Sequence, residues 1–257
     1  MKRIVTAITL VLLAGCSSMS DLNDETRGMS AEEMYQEAKS DLEGGNLTHA
    51  IQMYEKLEAR FPYGRYAQQA QLEIAYAHFK DGDAALALAA CDRFIKMHPT
   101  HQNVDYAYYL KGLVNFIEDA GFMSFVSRQD MTERDPRSAR ESYEAFRELV
   151  TRFPNSRYSA DARKRMTYLI NALAANEVHV ARYYLTRGAA LAAANRAQLV
   201  LASYPQSPET EEALAIMVQA YDQLNMPQLR DDARKVLDKN YPQSQYLPEN
   251  RPRSFWH

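Results

Sequence analysis

Five times along this chain an aromatic residue or a histidine is followed at once by proline: Phe61-Pro62, His98-Pro99, Phe153-Pro154, Tyr204-Pro205 and Tyr241-Pro242. Proline pushes the residue before it out of the helical region, so each pair closes a helix. Upstream of the first three prolines the residues follow one register. A small residue, then a larger one, then an apolar one and the proline stand at intervals of four, three and five, as in Ala50-Tyr54-Leu57-Pro62, Ala87-Cys91-Phe94-Pro99 and Ser142-Phe146-Leu149-Pro154. Eight residues after each of the first four prolines stands an alanine: Ala70, Ala107, Ala162 and Ala213. Steps of three and four line one helix face, and small residues there let a second helix come close. The chain is therefore expected to be all-α, built from about five helical hairpins that bury their faces by stacking.

This register resembles the tetratricopeptide repeat. The prolines lie 37, 55, 51 and 37 residues apart, and the short intervals approach that family's period of about 34. The fourth repeat, Ala193-Ala197-Val200-Pro205, lacks the aromatic. The fifth carries Arg230 and Arg234 in its first two places, as suits a terminal repeat with a wet outer face. At the start of the array Ser30 and Glu33 form a capping box, Met34, Ala38 and Leu42 share a face, and Gly44-Gly45 ends the helix. A second helix carries Leu47, Ala50, Tyr54, Leu57 and Phe61. The long interval before Pro154 holds an insertion at 119–136, which includes Gly121-Phe122-Met123 and the charged string from Arg128 to Asp135. The long interval before Pro205 reads as two long helices, 160–174 and 178–203. The solenoid is expected over 31–248, in halves 31–135 and 136–248, with a tail at 249–257.

The amino terminus has its own logic. Lys2 and Arg3 precede an apolar run, Ile4 to Ala14, too short to span a bilayer. It ends in Leu13-Ala14-Gly15-Cys16, which resembles the lipobox of bacterial lipoproteins. The resemblance implies cleavage after residue 15 and a lipid on the Cys16 thiol, the only covalent group expected on the chain; no other cofactor is implied. Two or more acyl chains anchor durably where one does not. Ser17, where an Asp would favour inner-membrane retention, points to the outer membrane with the body facing the periplasm. An ordinary secretion signal with a coincidental cysteine is the other reading. Residues 16–30 are polar and aperiodic, a flexible tether.

Composition narrows the chemistry. Without Lys2 and Arg3 the chain keeps 28 basic residues against 33 acidic ones, which gives no general electrostatic reason to bind nucleic acid. With Cys16 acylated, Cys91 has no disulfide partner and reads as a small buried residue. There is no nucleophile elbow, phosphate-cradling glycine loop or zinc-binding helix motif, so no catalytic residues are assigned and the chain is read as a non-enzymatic binding scaffold. His98-Pro-Thr-His101 has metal-like spacing but sits in a repeat-closing turn, and no metal site is assigned. The basic stretch from Arg157 to Arg165 reads equally as a solvated helix face or a phosphate-binding strip. Tyrosines gather at Tyr63, Tyr66 and Tyr76, at Tyr106, Tyr108 and Tyr109, and at Tyr183 and Tyr184. Some belong to helix packing, and some suit peptide recognition.

Longer segments resemble one family, the outer-membrane assembly lipoproteins called BamD (older name ComL). They include Phe61-Pro-Tyr-Gly-Arg-Tyr-Ala-Gln-Gln-Ala-Gln-Leu72, Asp92-Arg-Phe-Ile95 and Arg134-Asp-Pro136. The most specific is Tyr183-Tyr-Leu-Thr-Arg-Gly-Ala-Ala-Leu-Ala-Ala-Ala-Asn-Arg196, which no generic repeat contains. The ending Phe255-Trp256-His257 departs from the family. The resemblance implies a lipoprotein that binds the membrane-proximal POTRA domain of the BamA insertase, holds the accessory lipoproteins BamC and BamE, and receives unfolded outer-membrane β-barrel proteins. Carried onto this chain, it places the insertase contact at Arg187, Asn195 and Arg196. An arginine linking two helices is the alternative for Arg196. The candidate groove for client peptides holds Tyr63, Tyr66, Gln69 and Tyr76, with plain repeat packing as the alternative. A rival from another class is a peptidoglycan- or competence-associated envelope lipoprotein.

Overall fold

The computed structural model describes residues 25–120 and 136–247. The leader, Cys16, most of the 119–136 insertion and the tail lie outside the described residues. Ten helices and no strand occur among the described residues. They are α1 (Ala31–Gly44), α2 (Leu47–Arg60), α3 (Arg65–Asp81), α4 (Ala84–Met97) and α5 (Val104–Ala120). After the insertion come α6 (Arg137–Arg152), α7 (Ser159–Thr186), α8 (Ala190–Ser203), α9 (Thr210–Gln223) and α10 (Pro227–Asn240). The chain divides into two compact units, Met1–Asp81 and Gly82–His257. In the first, α1 and α2 form a hairpin on which α3 packs. In the second, each helix from α4 to α10 packs on the next, and α7 also reaches α9. This is the all-α, tetratricopeptide-like arrangement that the repeat register predicts.

The register is the core. Ala50, Tyr54 and Leu57 are fully buried, as are Ala87, Cys91 and Phe94, Ser142, Phe146 and Leu149, and Ala193, Ala197 and Val200. Ala70, Ala107, Ala162 and Ala213, eight residues past the prolines, are buried as well. In the last repeat only Leu237 of the first three places is buried, and Arg230 and Arg234 pair with nearby aspartates near the surface. Burial pushes the Cys91 thiol up to about 12, so it stays protonated and inert. Gly112 on α5 marks the closest approach, since a Cβ there would overlap the Phe146 ring. Ser142 fixes the same crossing by donating to the Gly112 carbonyl at 2.9 Å. Beyond α10, Leu247 packs with Leu214, Ala215 and Leu237, which extends the folded body to the last described residue.

Local chemistry sets the helix ends. The Ser30 hydroxyl accepts from the Glu33 N–H while the Glu33 carboxylate accepts from the Ser30 N–H at 2.8 Å, completing the capping box. The break expected near 174–178 is absent. Ala175-Asn176-Glu177 contains no glycine or proline, and α7 runs through it for 28 residues until Gly188, at φ 75°, turns the chain.

Residues 25–29, which composition places in the tether, form a turn held against α2. Thr26 is fully buried and its carbonyl accepts from Arg60. Glu25 takes Lys56 at 3.0 Å and His49 at 3.2 Å, and His49 Nδ1 lies 2.6 Å from Asp41. Hydrogen bonding to Asp41, then to Glu25, raises the His49 pKa above its ordinary value. A pKa raised on folding adds stability below the unfolded value of about 6.5 and loses it as pH climbs through the folded one. The turn should therefore hold best in mildly acidic medium and loosen once His49 is neutral. A proton NMR titration should place the His49 midpoint above that of a free histidine, and Asp41→Asn should bring it back down. An unchanged midpoint in that variant would show that Asp41 does not hold the imidazolium.

Candidate functional site

The first candidate surface belongs to the first unit. Tyr66, Gln69, Glu73 and Tyr76 recur at steps of three and four along α3, so they share one partly exposed face, while Ala67, Ala70, Ile74 and Ala77 point into the core. The Tyr66 ring packs on Tyr35 of α1 at 5.6 Å, and Tyr35 packs on Tyr54 of α2 at 5.7 Å. The Arg65 guanidinium lies 4.7 Å above the Tyr66 ring centre and donates to its hydroxyl at 2.9 Å. The Tyr35 hydroxyl donates to Glu73 at 3.1 Å. Burial raises the Glu73 carboxyl above its usual range, against the opposing pull of Tyr35, Lys39 and Gln69. The arrangement offers stacked aromatic edges over a polar floor. It joins Tyr66 and Gln69 but leaves Tyr63 apart, 94% exposed on the preceding turn. Tyr76 stands ten residues beyond Tyr66, about 15 Å along the helix, and packs on Phe79. Sequence reading missed Tyr35 and Glu73, and only the seven-residue step from Tyr66 to Glu73 could have signalled the latter.

The second surface is the α7–α8 hairpin of the second unit. Its alanine run is core: Ala190, Ala193, Ala194 and Ala197 pack with Ala174, Val178 and Ala181 of α7 and with Ala213 and Ile216 of α9. Such small residues let the three helices close on one another. The opposite side of α8 carries Leu191, Asn195 and Leu199 at four-residue steps, all exposed. At the hairpin tip Arg187 lies over the exposed Tyr183 ring, 5.3 Å from its centre.

Arg196 is anchored from within. Glu177 of α7 is only 2% exposed, and its two carboxylate oxygens receive Arg196 of α8 at 2.9 Å and Arg140 of α6 at 3.3 Å. The interhelical reading of Arg196 is thus what the structure displays, with the outer part of the side chain still in solvent. Arg187 stands ten residues past Glu177, about 15 Å up α7, so the three expected residues share a hairpin without forming one cluster. Glu177 and Arg140 were not foreseen, although a glutamate flanked by Leu173, Ala174, Val178 and Ala181 is a charge on an apolar stripe.

Other sequence signals resolve into packing. His98 and His101 both set their rings 5.2 Å from Phe94, and among the described residues no three His, Cys, Asp or Glu side chains gather as metal ligands. Within the basic stretch, Arg157 stacks on Tyr158, and Arg165 binds Asp161 while lying over Phe116. No helix among the described residues is long and apolar enough to cross a membrane.

Hairpin stacking with two aromatic, partly polar surfaces defines a helical-repeat scaffold, a protein that holds other molecules rather than transforming them. Residues 27–237 match the YfiO family, described as outer membrane lipoprotein. A protein of Neisseria meningitidis serogroup B named outer membrane protein assembly factor BamD is 48% identical, with 97% of this chain and 95% of that one covered. The proteins of the same name from Xylella fastidiosa strain Temecula1 and Vibrio cholerae are 40% and 35% identical, over 95% and 91% of this chain and 83% and 95% of their own lengths. This chain belongs to the BamD family of outer membrane protein assembly factors.

Proposed function

We propose that this protein is a lipid-anchored scaffold of the β-barrel assembly machinery. Cys16 carries the lipid, and the body faces the periplasm beneath the outer membrane. The α7–α8 hairpin docks the POTRA domain of a BamA-like insertase, BamC- and BamE-like lipoproteins bind the same scaffold, and the α3 face of the first unit receives unfolded outer-membrane proteins. One observation supports this reading most directly. In a chain of this family, α8 presents Leu191 and Leu199 to solvent on either side of Asn195, while the neighbouring Arg196 is held in place by Glu177. Apolar side chains around a polar group, on a rigid helix, suit a protein interface. Stacked tyrosines with polar tips suit extended peptides, whose alternate side chains reach one face.

Photo-crosslinkers placed singly at Asn195 and at Tyr66 in living cells test both halves. The expected adduct at 195 is a barrel protein with POTRA domains, and at 66 a spread of outer-membrane proteins still in transit. Glycan fragments at either position, or the absence of any POTRA-bearing adduct at 195, would overturn the reading.

A further inference from the structure

One face of α2 carries His49, Lys56 and Arg60, at steps of seven and four. All three reach the turn at 25–29. Glu25 meets Lys56 at 3.0 Å and His49 at 3.2 Å, and Arg60 donates to the Thr26 carbonyl. Behind His49, Asp41 of α1 holds the imidazole at 2.6 Å, so both helices of the hairpin contribute. The turn closes on itself as well, with the Met29 N–H donating to the Thr26 carbonyl at 3.1 Å and Gly28 at φ 87°. Thr26 is fully buried, while Glu25, Arg27 and Gly28 beside it are exposed. The hold is therefore mostly polar. The Glu25 and Lys56 side chains are 52% and 42% exposed, and exposed pairs of this kind are weak and exchange readily with water.

What the turn holds is the end of the lipid tether. Glu25 lies nine residues beyond Cys16, and Ser30, where α1 is capped, lies fourteen beyond it. An extended chain covers at most about 3.6 Å per residue, so the tether reaches about 32 Å with the turn docked and about 50 Å with it free. The point of attachment changes too. With the turn docked, the pull of the lipid falls on α2; with it free, on the start of α1. We infer that the 25–29 turn is a clasp that sets how far the first unit stands from a phospholipid leaflet. Closed, it keeps α2 beside the leaflet; open, it lets the unit lift and turn away. The inference rests on the lipid at Cys16 in the proposed function and gives the tether of that lipid a docking site on the fold.

The test uses the full mature lipoprotein in vesicles of phosphatidylethanolamine and phosphatidylglycerol. Cys91 is buried, so cysteines introduced at exposed positions take labels selectively. A fluorescent donor at Gln52→Cys, exposed on α2 between His49 and Lys56, reports its nearness to the leaflet by short-range energy transfer to headgroup acceptors. Spin labels at Arg27→Cys and Lys80→Cys, both exposed in the first unit, report closure of the turn by pulsed electron resonance. The clasp is opened by Glu25→Ala with Arg60→Ala, and separately by Lys56→Glu, which sets a like charge against Glu25. The parent should give one narrow spin-label distance. Each opened variant should broaden it and lower the energy transfer about twofold as the tether lengthens. A parent distance as broad as that of the variants, or transfer unchanged on opening, would overturn the inference. A parent that stays off the vesicles would sink the lipid reading and the stand-off with it, whereas failure of the clasp alone leaves vesicle binding intact. Should a thermal melt show the double variant unfolded, Lys56→Glu decides.

Discussion

Replacing Phe146 with alanine should destabilise the protein by about 3–5 kcal/mol, the range for removing a fully enclosed aromatic ring. The ring is fully buried in the α5–α6 crossing, with Tyr109 at 5.9 Å, Phe116 at 6.4 Å and the Gly112 backbone directly against it. Alanine forfeits the transfer of the ring from water and leaves a cavity between two helices whose separation Gly112 and Ser142 fix. For a chain of this size the loss corresponds to a fall in Tm on the order of 10 °C. The opposite change, Gly112→Ala, crowds the same contact and should cost about 1–3 kcal/mol. Urea titration followed by circular dichroism measures both. A Phe146→Ala loss below about 1 kcal/mol, under the usual range, would mean that α5 and α6 close over the gap.

The second large effect is conditional. Arg140→Ala or Arg196→Ala alone leaves Glu177 with one guanidinium, and each should cost about 1 kcal/mol, the scale of a single hydrogen-bonded contact. Removing both strands a carboxylate that is 2% exposed, and the penalty should rise to about 3–5 kcal/mol, well beyond the sum of the two singles. Adding Glu177→Leu to the double variant should recover most of that loss, because the uncompensated charge disappears and an apolar side chain of similar bulk takes its place. Chemical denaturation of the parent and the four variants gives the coupling directly. Additive singles, or no recovery with Glu177→Leu, would show that the carboxylate is not the shared element. The design also has a functional use. At a cost of about 1 kcal/mol Arg196→Ala should retain the fold, so a loss of the POTRA-bearing adduct in that variant would test the proposed docking surface and not unfolding.

Much of this architecture was legible because it rests on sterics that leave marks at fixed spacing. Proline cannot continue a helix, and Ala50, Ala87, Ser142 and Ala193 sit where two helices nearly touch, so the four-three-five register exposes both helix ends and core at once. The end of α7 was misplaced for a related reason. The stretch 175–177 lies between two apolar faces and looks like a join, yet it contains nothing that stops a helix, whereas the glycine at 188 sits within an alanine-rich run that resembles continuous helix. The turn at 25–29 was hidden because its support comes from Arg60, Lys56 and His49, whose pairing with residues some 24 to 34 positions earlier leaves no periodic trace. For the candidate surfaces, the aromatic and arginine positions were visible, while their polar supports, Glu73 and Glu177, read as ordinary surface charges until the packing placed them.

The uninterrupted α7 has a mechanical consequence. At 28 residues it is a rod of about 42 Å, and it contains no glycine or proline at which it could bend. One end carries Asp161, bonded to Tyr109 and Arg165, and the other carries Tyr183 beneath Arg187. A push on the tip cannot be absorbed by a hinge within the rod. It must rotate the whole lever about Glu177, which stands about two-thirds of the way along the helix and is gripped by Arg140 and Arg196. Strain applied at the hairpin tip is thereby delivered to the α5–α7 seam, so the tip and the seam respond as the two arms of one beam.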